Sequence, residues 1–379
     1  MSKLDHLQNM FTAEIGAVDL LLRVPGRANI IGEHIDYCGG RVLPFAISQS
    51  MHFVAKRRDD NIVTIKALDL GEQVSFEIGD INKIEGWASY FAQALNIISS
   101  QYSLSGLDIY FLSDIPMGAG VSSSSAICVG IITIIDTLYE LSLSDDQKVD
   151  IASQSEHGIG IRGGIMDQYT ILFGKENHAL LIDCAEGKHE NIDLSDISYK
   201  WILLNTNVKH NLAHSPYNDR RSQVEEALKL VNEKSGLQKT FKEINLSDIS
   251  FISDHPMLKK RLLHIYNEMC RVDQAVNCIR SKSFNELGQL LYESHLSLSQ
   301  DYEVSCVELD FVCDQLSDDK NVLGARMMGG GFGGSVIALV KEEYESSGVV
   351  DDYKSEFNIE LNIISIEPRG GLEILTMER

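Results

Sequence analysis

The chain has 379 residues, 44% of them hydrophobic, which is enough for a sizeable core and, by length, for two domains. Its 33 basic and 55 acidic residues leave a net charge of -22, whose long-range field repels nucleic acid and anionic membranes and excludes both as partners. An anionic small molecule such as a nucleotide can bind only where backbone N–H groups, a helix N-terminus, an arginine or a divalent cation reverse that field locally.

In chain order, the opening MSKLDHLQNMFTAEIG carries charges where a signal peptide needs an apolar core. The longest apolar run, Ala126 to Ile135, is too short to span a bilayer. Cysteines 38, 128, 184, 270, 278, 306 and 313 make an odd set without CxxC or zinc spacing, so reduced thiols and a cytoplasmic protein are expected. Asp19 to Val24 reads as a strand running into GRANIIGEHIDYCGG (Gly26 to Gly40), and Met51 to Val54 and Ile62 to Ala67 read as further strands by alternation. Trp87 to Ser99 has helical spacing and Leu107 to Leu112 strand character, after which PMGAGVSSSSA turns from a glycine and serine loop into a long apolar helix. A helix near Asp146 to Gln154, a loop GIGIRGGIMDQ and a strand HALLIDC follow. The polar stretch Ala185 to Asp196 is the expected boundary, dividing the chain into residues 1–190 and 191–379. Beyond it come a strand Trp201 to Asn205 and helices over Asp219 to Lys234, Met257 to Arg280 and Ser283 to Ser299. The glycine segment GARMMGGGFGG leads into a strand Ser335 to Val340, and a last helix and two strands close an α+β chain of two halves with a cleft between them.

Glycines at 118 and 120 let the backbone turn tightly against a ligand, and Ser122 to Ser125 sit where a helix exposes unpaired N–H groups, a pattern suited to phosphate. Serine hydroxyls there can also hold a hard cation such as Mg²⁺. The plainer alternative is a serine-rich cap on a buried helix. No GxxxxGK[ST] occurs, which excludes a Walker-type loop. Gly158 to Gly163 fits GxGxxG, but the polar, helical DIASQSEH precedes it where a dinucleotide fold needs a hydrophobic strand. Glu33, His34 and Asp36 crowd polar side chains onto one turn, as suits a polyhydroxylated ligand, because carboxylates accept hydrogen bonds from vicinal hydroxyls.

GRANIIGEHIDY resembles, position for position, the galactokinase signature G-R-x-N-[LIV]-I-G-[DE]-H-x-D-Y of the GHMP small-molecule kinases. PMGAGVSSSSA and GARMMGGGFGG resemble that family's second and third motifs, and GGIMDQYTILFG, HALLIDC, NTNVKHNLAHSPYNDRR and SHLSLSQDYEVSCVELD continue the likeness over nearly the whole chain. The resemblance implies a two-domain GHMP kinase architecture with a ribosomal-S5-domain-2-like N-terminal half, a ferredoxin-like C-terminal half and the active site in the cleft. It implies transfer of the γ-phosphoryl group of ATP to the C1 hydroxyl of galactose. Carried over to this chain, it implies Asp167 as catalytic base and Arg27 as the neighbour that steadies it and the transferring phosphate. Glu33, His34, Ile35, Asp36, Gly164, Asp167 and Tyr217 would bind the sugar; Gly118, Ala119, Gly120, Val121, Ser122, Ser123 and Ser124 would wrap the ATP phosphates; Ser124 and Glu156 would hold Mg²⁺. No partner beyond sugar and ATP is expected, and a monomer is expected.

The chain departs from the family pattern at Cys38, where asparagine is usual, at Gly163 and Ser335, where cysteine is usual, and at Met328, where a threonine hydroxyl beside the phosphates becomes a thioether. The run from Glu156 to Asp167 is one residue shorter than the pattern. Two alternatives stand beside a galactokinase: a sister kinase for N-acetylgalactosamine, galacturonate or arabinose, and a galactose sensor without catalysis. The sensors are damaged in the serine motif, which is intact here.

Overall fold

The computed structural model describes residues 3–80, 84–195, 199–208 and 217–377, so that 209–216 of the NTNVKHNLAHSPYNDRR segment lie outside the described residues. The elements in chain order are α1 (Lys3–Glu14), β1 (Leu20–Asn29), β2 (Arg41–Val42), β3 (Pro44–Arg57), β4 (Ile62–Ala67), β5 (Glu72–Glu77), α2 (Ala88–Ser99), β6 (Leu107–Ser113), α3 (Ser123–Tyr139), α4 (Asp145–Gly158), α5 (Met166–Phe173), β7 (His178–Asp183) and β8 (Lys188–Asp193). Then follow β9 (Tyr199–Asn205), α6 (Tyr217–Ser235), α7 (Leu246–Ser250), α8 (Pro256–Ser281), α9 (Phe284–Ser297), α10 (Val307–Ser317), β10 (Val322–Met328), β11 (Ser335–Lys341), α11 (Ser347–Phe357), β12 (Asn362–Ile366) and β13 (Glu373–Met377). They build sheets of order β13-β1-β3-β6-β4-β5, β10-β11-β9-β12 and β2-β7-β8. Among the described residues no helix is long and apolar enough to cross a membrane.

β1 is an interior strand buried along almost its whole length, which is why LLLRV reads as a continuous apolar run rather than an alternation. Its register against β3 shifts between Pro25 and Arg27, and a side chain at Gly26 would meet the Val121 carbonyl at 2.8 Å. The missing Cβ therefore lets the serine-rich loop lie directly on β1, where Arg27 N–H donates to Val121 O at 3.2 Å. α3 is apolar on all sides because it is buried on all sides, against β1, β3, α2 and α4. In the second sheet α9 crosses β10 where Gly288 and Gly324 face each other: a Cβ on Gly324 would run into the Gly288 carbonyl, and one on Gly288 into the Leu323 carbonyl.

Several expectations shift. The polar stretch after HALLIDC is a turn and strand β8, hydrogen-bonded to β7, so a division between 190 and 191 cuts a hairpin. β13 pairs with β1, so the end of the chain returns to the first sheet instead of staying within a separate second half. The end of the GIGIRGGIMDQ loop is the first turn of α5, and the first five residues of GARMMGGGFGG belong to β10. Gly158 terminates α4, so GIGIRG has no strand before it, in line with its rejection as a dinucleotide site.

Gly324→Ala is expected to cost about 1–3 kcal/mol by overpacking backbone against backbone. Urea titration of the variant against the parent measures it, and an unchanged midpoint would contradict the close crossing of α9 on β10.

Candidate active site

The bulge at Gly26 ends the regular part of β1 and turns Arg27 under the serine-rich loop, where it is 5% exposed. Arg27 Nε donates to Asp167 Oδ1 at 2.7 Å and Nη2 to Oδ2 at 3.0 Å, a bidentate clasp, while Nη1 donates to the Gly120 carbonyl at 2.5 Å. Asp167 stands in the first turn of α5, and its Oδ2 also accepts from the Ser122 hydroxyl. Ser122 precedes α3 in the left-handed region (φ 64°), and no side chain caps that helix. Its hydroxyl is thus committed to Asp167, and the serine-rich cap of the plainer reading is not what these residues build.

Two cavities meet at this clasp. The larger, about 300 Å³, runs between Gly118–Ser124 and Met328–Gly334, so the second and third glycine segments form its two walls. The smaller, about 100 Å³, is lined by Glu33, His34, Asp36, Glu156, Gly163, Gly164, Gln168 and Tyr217 among others. Arg27, Ser124, Asp167, Gly329 and Gly330 border both. The glycine walls approach closely: the Ser335 hydroxyl donates to Ala119 O at 2.8 Å, and a Cβ on Gly120 would lie 3.2 Å from Met328 O.

Most of the expected site residues therefore assemble, with two exceptions. Ile35 is fully buried in the core and lines neither cavity; only its neighbours Glu33, His34 and Asp36 do. Ala119 is likewise buried and lines neither cavity, and its carbonyl accepts from Ser335. Asp36 Oδ2 accepts from Gly164 N–H at 3.1 Å, joining the first motif to the loop before α5. Glu33 Oε1 accepts from Arg326 at 3.2 and 3.3 Å and from Gly329 N–H at 2.9 Å. Met328, expected beside phosphates, turns its sulfur inward to accept the Asn29 N–H at 3.3 Å.

The electrostatics are lopsided toward acid. Burial, followed by the charge of Asp167, pushes Asp36 up to about 6 and Glu156 up to about 7. Burial works against the Arg27 cation, but Asp167, Glu33 and Asp36 outweigh it and hold its pKa above the ordinary arginine value. Glu156 accepts from Ser125 Oγ at 2.8 Å and Gln168 Nε2 at 2.6 Å and has no ion pair among the described residues.

Residues 9–57 match the galactokinase galactose-binding signature, residues 88–175 the GHMP kinases N terminal domain and residues 275–359 the GHMP kinases C terminal. The galactokinase of Thermotoga petrophila is 38% identical over 362 residues, covering 93% of this chain and 99% of that protein. The chain belongs to the galactokinase family of GHMP kinases. Galactokinase of Clostridium acetobutylicum is 35% identical over 329 residues, 84% of this chain and 85% of that one. The crystal structure of Lactococcus lactis galactokinase complexed with galactose matches with a TM-score of 0.91 at 29% identity, over 99% of this chain and 100% of that one. Methanococcus jannaschii mevalonate kinase shares the two-domain fold, with a TM-score of 0.63 at 19% identity over 94% of this chain and 100% of its own.

In this galactokinase several side chains that position the site were not singled out in the sequence, although Arg326 lies within GARMMGGGFGG and Tyr302 within SHLSLSQDYEVSCVELD. Arg326, 0% exposed on β10, donates to the carbonyls of Asn29 and Ile30 as well as to Glu33, clamping the end of β1. Glu268 of α8 accepts the Gly32 N–H at 2.9 Å. Burial opposes its charge, but Arg271, His264 and Arg326 overcome that and hold Glu268 down at about 2. Tyr37 lies inside the first motif, yet Tyr302, its hydroxyl partner at 2.8 Å, is 265 residues away.

Glu156 yields a pH test. Its folded pKa, about 7, lies above the ordinary value of 4.5, so between these the folded protein keeps a proton that the unfolded chain has lost. This group's contribution therefore falls as pH rises from about 5 to 7 and then levels off. Glu156→Gln is expected to be more stable than the parent at about pH 8, by up to about 3 kcal/mol, and equal to it at about pH 4. Denaturant titration at both pH values checks this, and a variant less stable at both would contradict the buried, unpaired carboxylate.

Proposed function

We propose that the enzyme phosphorylates the C1 hydroxyl of galactose with ATP, with sugar in the smaller cavity, the ATP phosphates in the larger and Asp167 between them. The observation that carries this reading is the shared wall: Arg27 and Asp167 border both cavities, so a hydroxyl on one side and a phosphorus on the other can meet at one carboxylate. Asp167 accepts the C1 proton as the sugar oxygen bonds to the γ-phosphorus and the bond from that phosphorus to the β,γ-bridging oxygen breaks, releasing ADP. Arg27 keeps the carboxylate aimed through two parallel hydrogen bonds and supplies positive charge beside the transferring group. The loops Gly118–Ser124 and Gly329–Gly334 offer backbone N–H groups to the phosphates, and the uncapped start of α3 adds its own. Asp36, Glu33, His34, Gly164 and Tyr217 surround the sugar hydroxyls.

Glu156 and Ser124 suit a magnesium ion. Glu156 is a buried carboxylate without a cationic partner among the described residues, raised toward neutrality by burial, and Ser124 borders both cavities beside it. Magnesium is commonly held by one or two carboxylates together with substrate phosphates, and when bound it neutralises charge on the β- and γ-phosphates. Such a cation would also offset Glu156, which, unlike Asp167 with Arg27 and Glu33 with Arg326, has no ion pair among the described residues. The seven cysteines are all free thiols, which supports a cytoplasmic location, and we assign the enzyme as a monomer with two small-molecule substrates.

Asp167→Asn is expected to lower turnover at least about 10²- to 10³-fold while galactose binding persists. A coupled ADP assay and calorimetry with galactose measure the two separately; retained turnover would refute the role. The coupled assay run without magnesium or with chelator is expected to show no turnover, and Glu156→Gln is expected to need more magnesium for half-maximal rate. Unaltered magnesium dependence in that variant would remove Glu156 from the cation site.

A further inference from the structure

His34 lines the smaller cavity with its Nε2 buried and without a hydrogen-bond partner among the described residues. Its other ring nitrogen, Nδ1, is 2.9 Å from the Tyr37 hydroxyl, which in turn is 2.8 Å from the hydroxyl of Tyr302. Tyr302 closes the π-helical turn Leu298–Tyr302 and is 0% exposed, and among the described residues its hydroxyl has Tyr37 as its one hydrogen-bond partner. Two hydroxyls beside an imidazole can be oriented in three ways, and if Nδ1–H and Tyr302 both donate to Tyr37, the Tyr37 proton has no acceptor among the described residues. Run outward, Nδ1–H donates to Tyr37, Tyr37 donates to Tyr302, and the buried Tyr302 proton has no acceptor among the described residues. Run inward, Tyr302 donates to Tyr37, Tyr37 donates to a bare Nδ1, and each hydroxyl proton is used.

We infer that Tyr302 and Tyr37 are positioning residues that fix His34 as its Nε2–H tautomer, so that the sugar cavity meets a histidine that donates a hydrogen bond and cannot accept one. The ring is neutral: burial, with smaller contributions from the nearby His264 and Arg220, brings its pKa down to about 3 against the opposing pull of Glu268. The consequence is a division of labour around the sugar. Glu33, Asp36 and Asp167 can only accept as carboxylates, and His34 supplies the complementary donor, so the hydroxyl opposite it must offer a lone pair. A site built this way rejects a sugar lacking that oxygen, because the buried N–H is then left unpaired. A histidine with Nδ1 engaged and Nε2 protonated also cannot take the C1 proton, which leaves that task to Asp167.

This inference rests on the smaller cavity being the galactose site, and the test separates the two. Protein labelled with ¹⁵N-histidine is examined by long-range ¹H–¹⁵N correlation at neutral pH, with His34 assigned by its loss in His34→Gln. The expected spectrum has a protonated Nε2 and an unprotonated Nδ1, and the Nε2 signal moves when galactose is added. In Tyr37→Phe the preference is expected to relax toward a mixture, and a mixture of equal parts weakens apparent galactose affinity about two-fold. A protonated Nδ1 in the parent protein that still responds to galactose overturns the tautomer alone. A His34 ring indifferent to galactose overturns both the tautomer's role and the assignment of the cavity. A Tyr37→Phe protein that stays fully Nε2–H overturns the part given to the tyrosines.

Discussion

The guanidinium of Arg27 ties together three segments of the chain that are far apart in sequence. It grows from the irregular end of β1, clasps Asp167 at the start of α5 with two hydrogen bonds, and holds the Gly120 carbonyl of the serine-rich loop with a third. Burying a cation is costly unless it is paired and its donors are used, and here the pairing is bidentate and every nitrogen of the group makes a bond. The arrangement depends on Gly26, since any side chain there would press on Val121 and lift the loop from the strand. A backbone detail in the core of the first sheet thus sets where the carboxylate stands in the cleft.

A second buried arginine does the corresponding work from the other sheet. Arg326 on β10 reaches the carbonyls of Asn29, where β1 ends, and of Ile30 just beyond it, as well as the Glu33 carboxylate, while Gly329 N–H binds the same oxygen of Glu33. The third glycine segment and the sugar loop are therefore braced against each other, and Glu268 braces the same loop from α8 through Gly32. Both cavities acquire rigid walls in this way, which matters for phosphoryl transfer, where the protein contributes mainly alignment and charge neutralisation. Its overall charge of -22 makes the neutralising part demanding. Backbone N–H groups, Arg27 and a site suited to a divalent cation are the local answers.

What the residues themselves made legible was the part that lies close together in the chain, whereas Asp167, Glu156, Gly164 and Tyr217 were reached only through the resemblance. GRANIIGEHIDY holds Arg27, Glu33, His34 and Asp36 within a dozen positions, and the burial of α3 follows from its uninterrupted apolar run. The supporting residues were not legible, for physical reasons. Glu268 and Arg271 sit one turn apart on a 26-residue helix, a spacing that ordinarily marks a solvated face, and only contact with Gly32 makes Glu268 an interior brace. β8 buries one residue, Ile192, and so presents no alternation to recognise as a strand. α5 has eight residues and follows directly on a glycine loop, too short for helical periodicity to emerge. Ile35 sits amid ligand-facing neighbours, and its inward turn follows from the tight turn beside Gly40, whose Cβ would collide with it.

One carboxylate, Asp167, serves both cavities. A crystal structure of the enzyme with galactose, magnesium and a non-hydrolysable ATP analogue tests it most directly. The C1 oxygen is expected within about 3 Å of Asp167, in line with the γ-phosphorus, with Arg27 still clasping that carboxylate. A ternary complex with Asp167 swung away from Arg27 and out of reach of both ligands would contradict it.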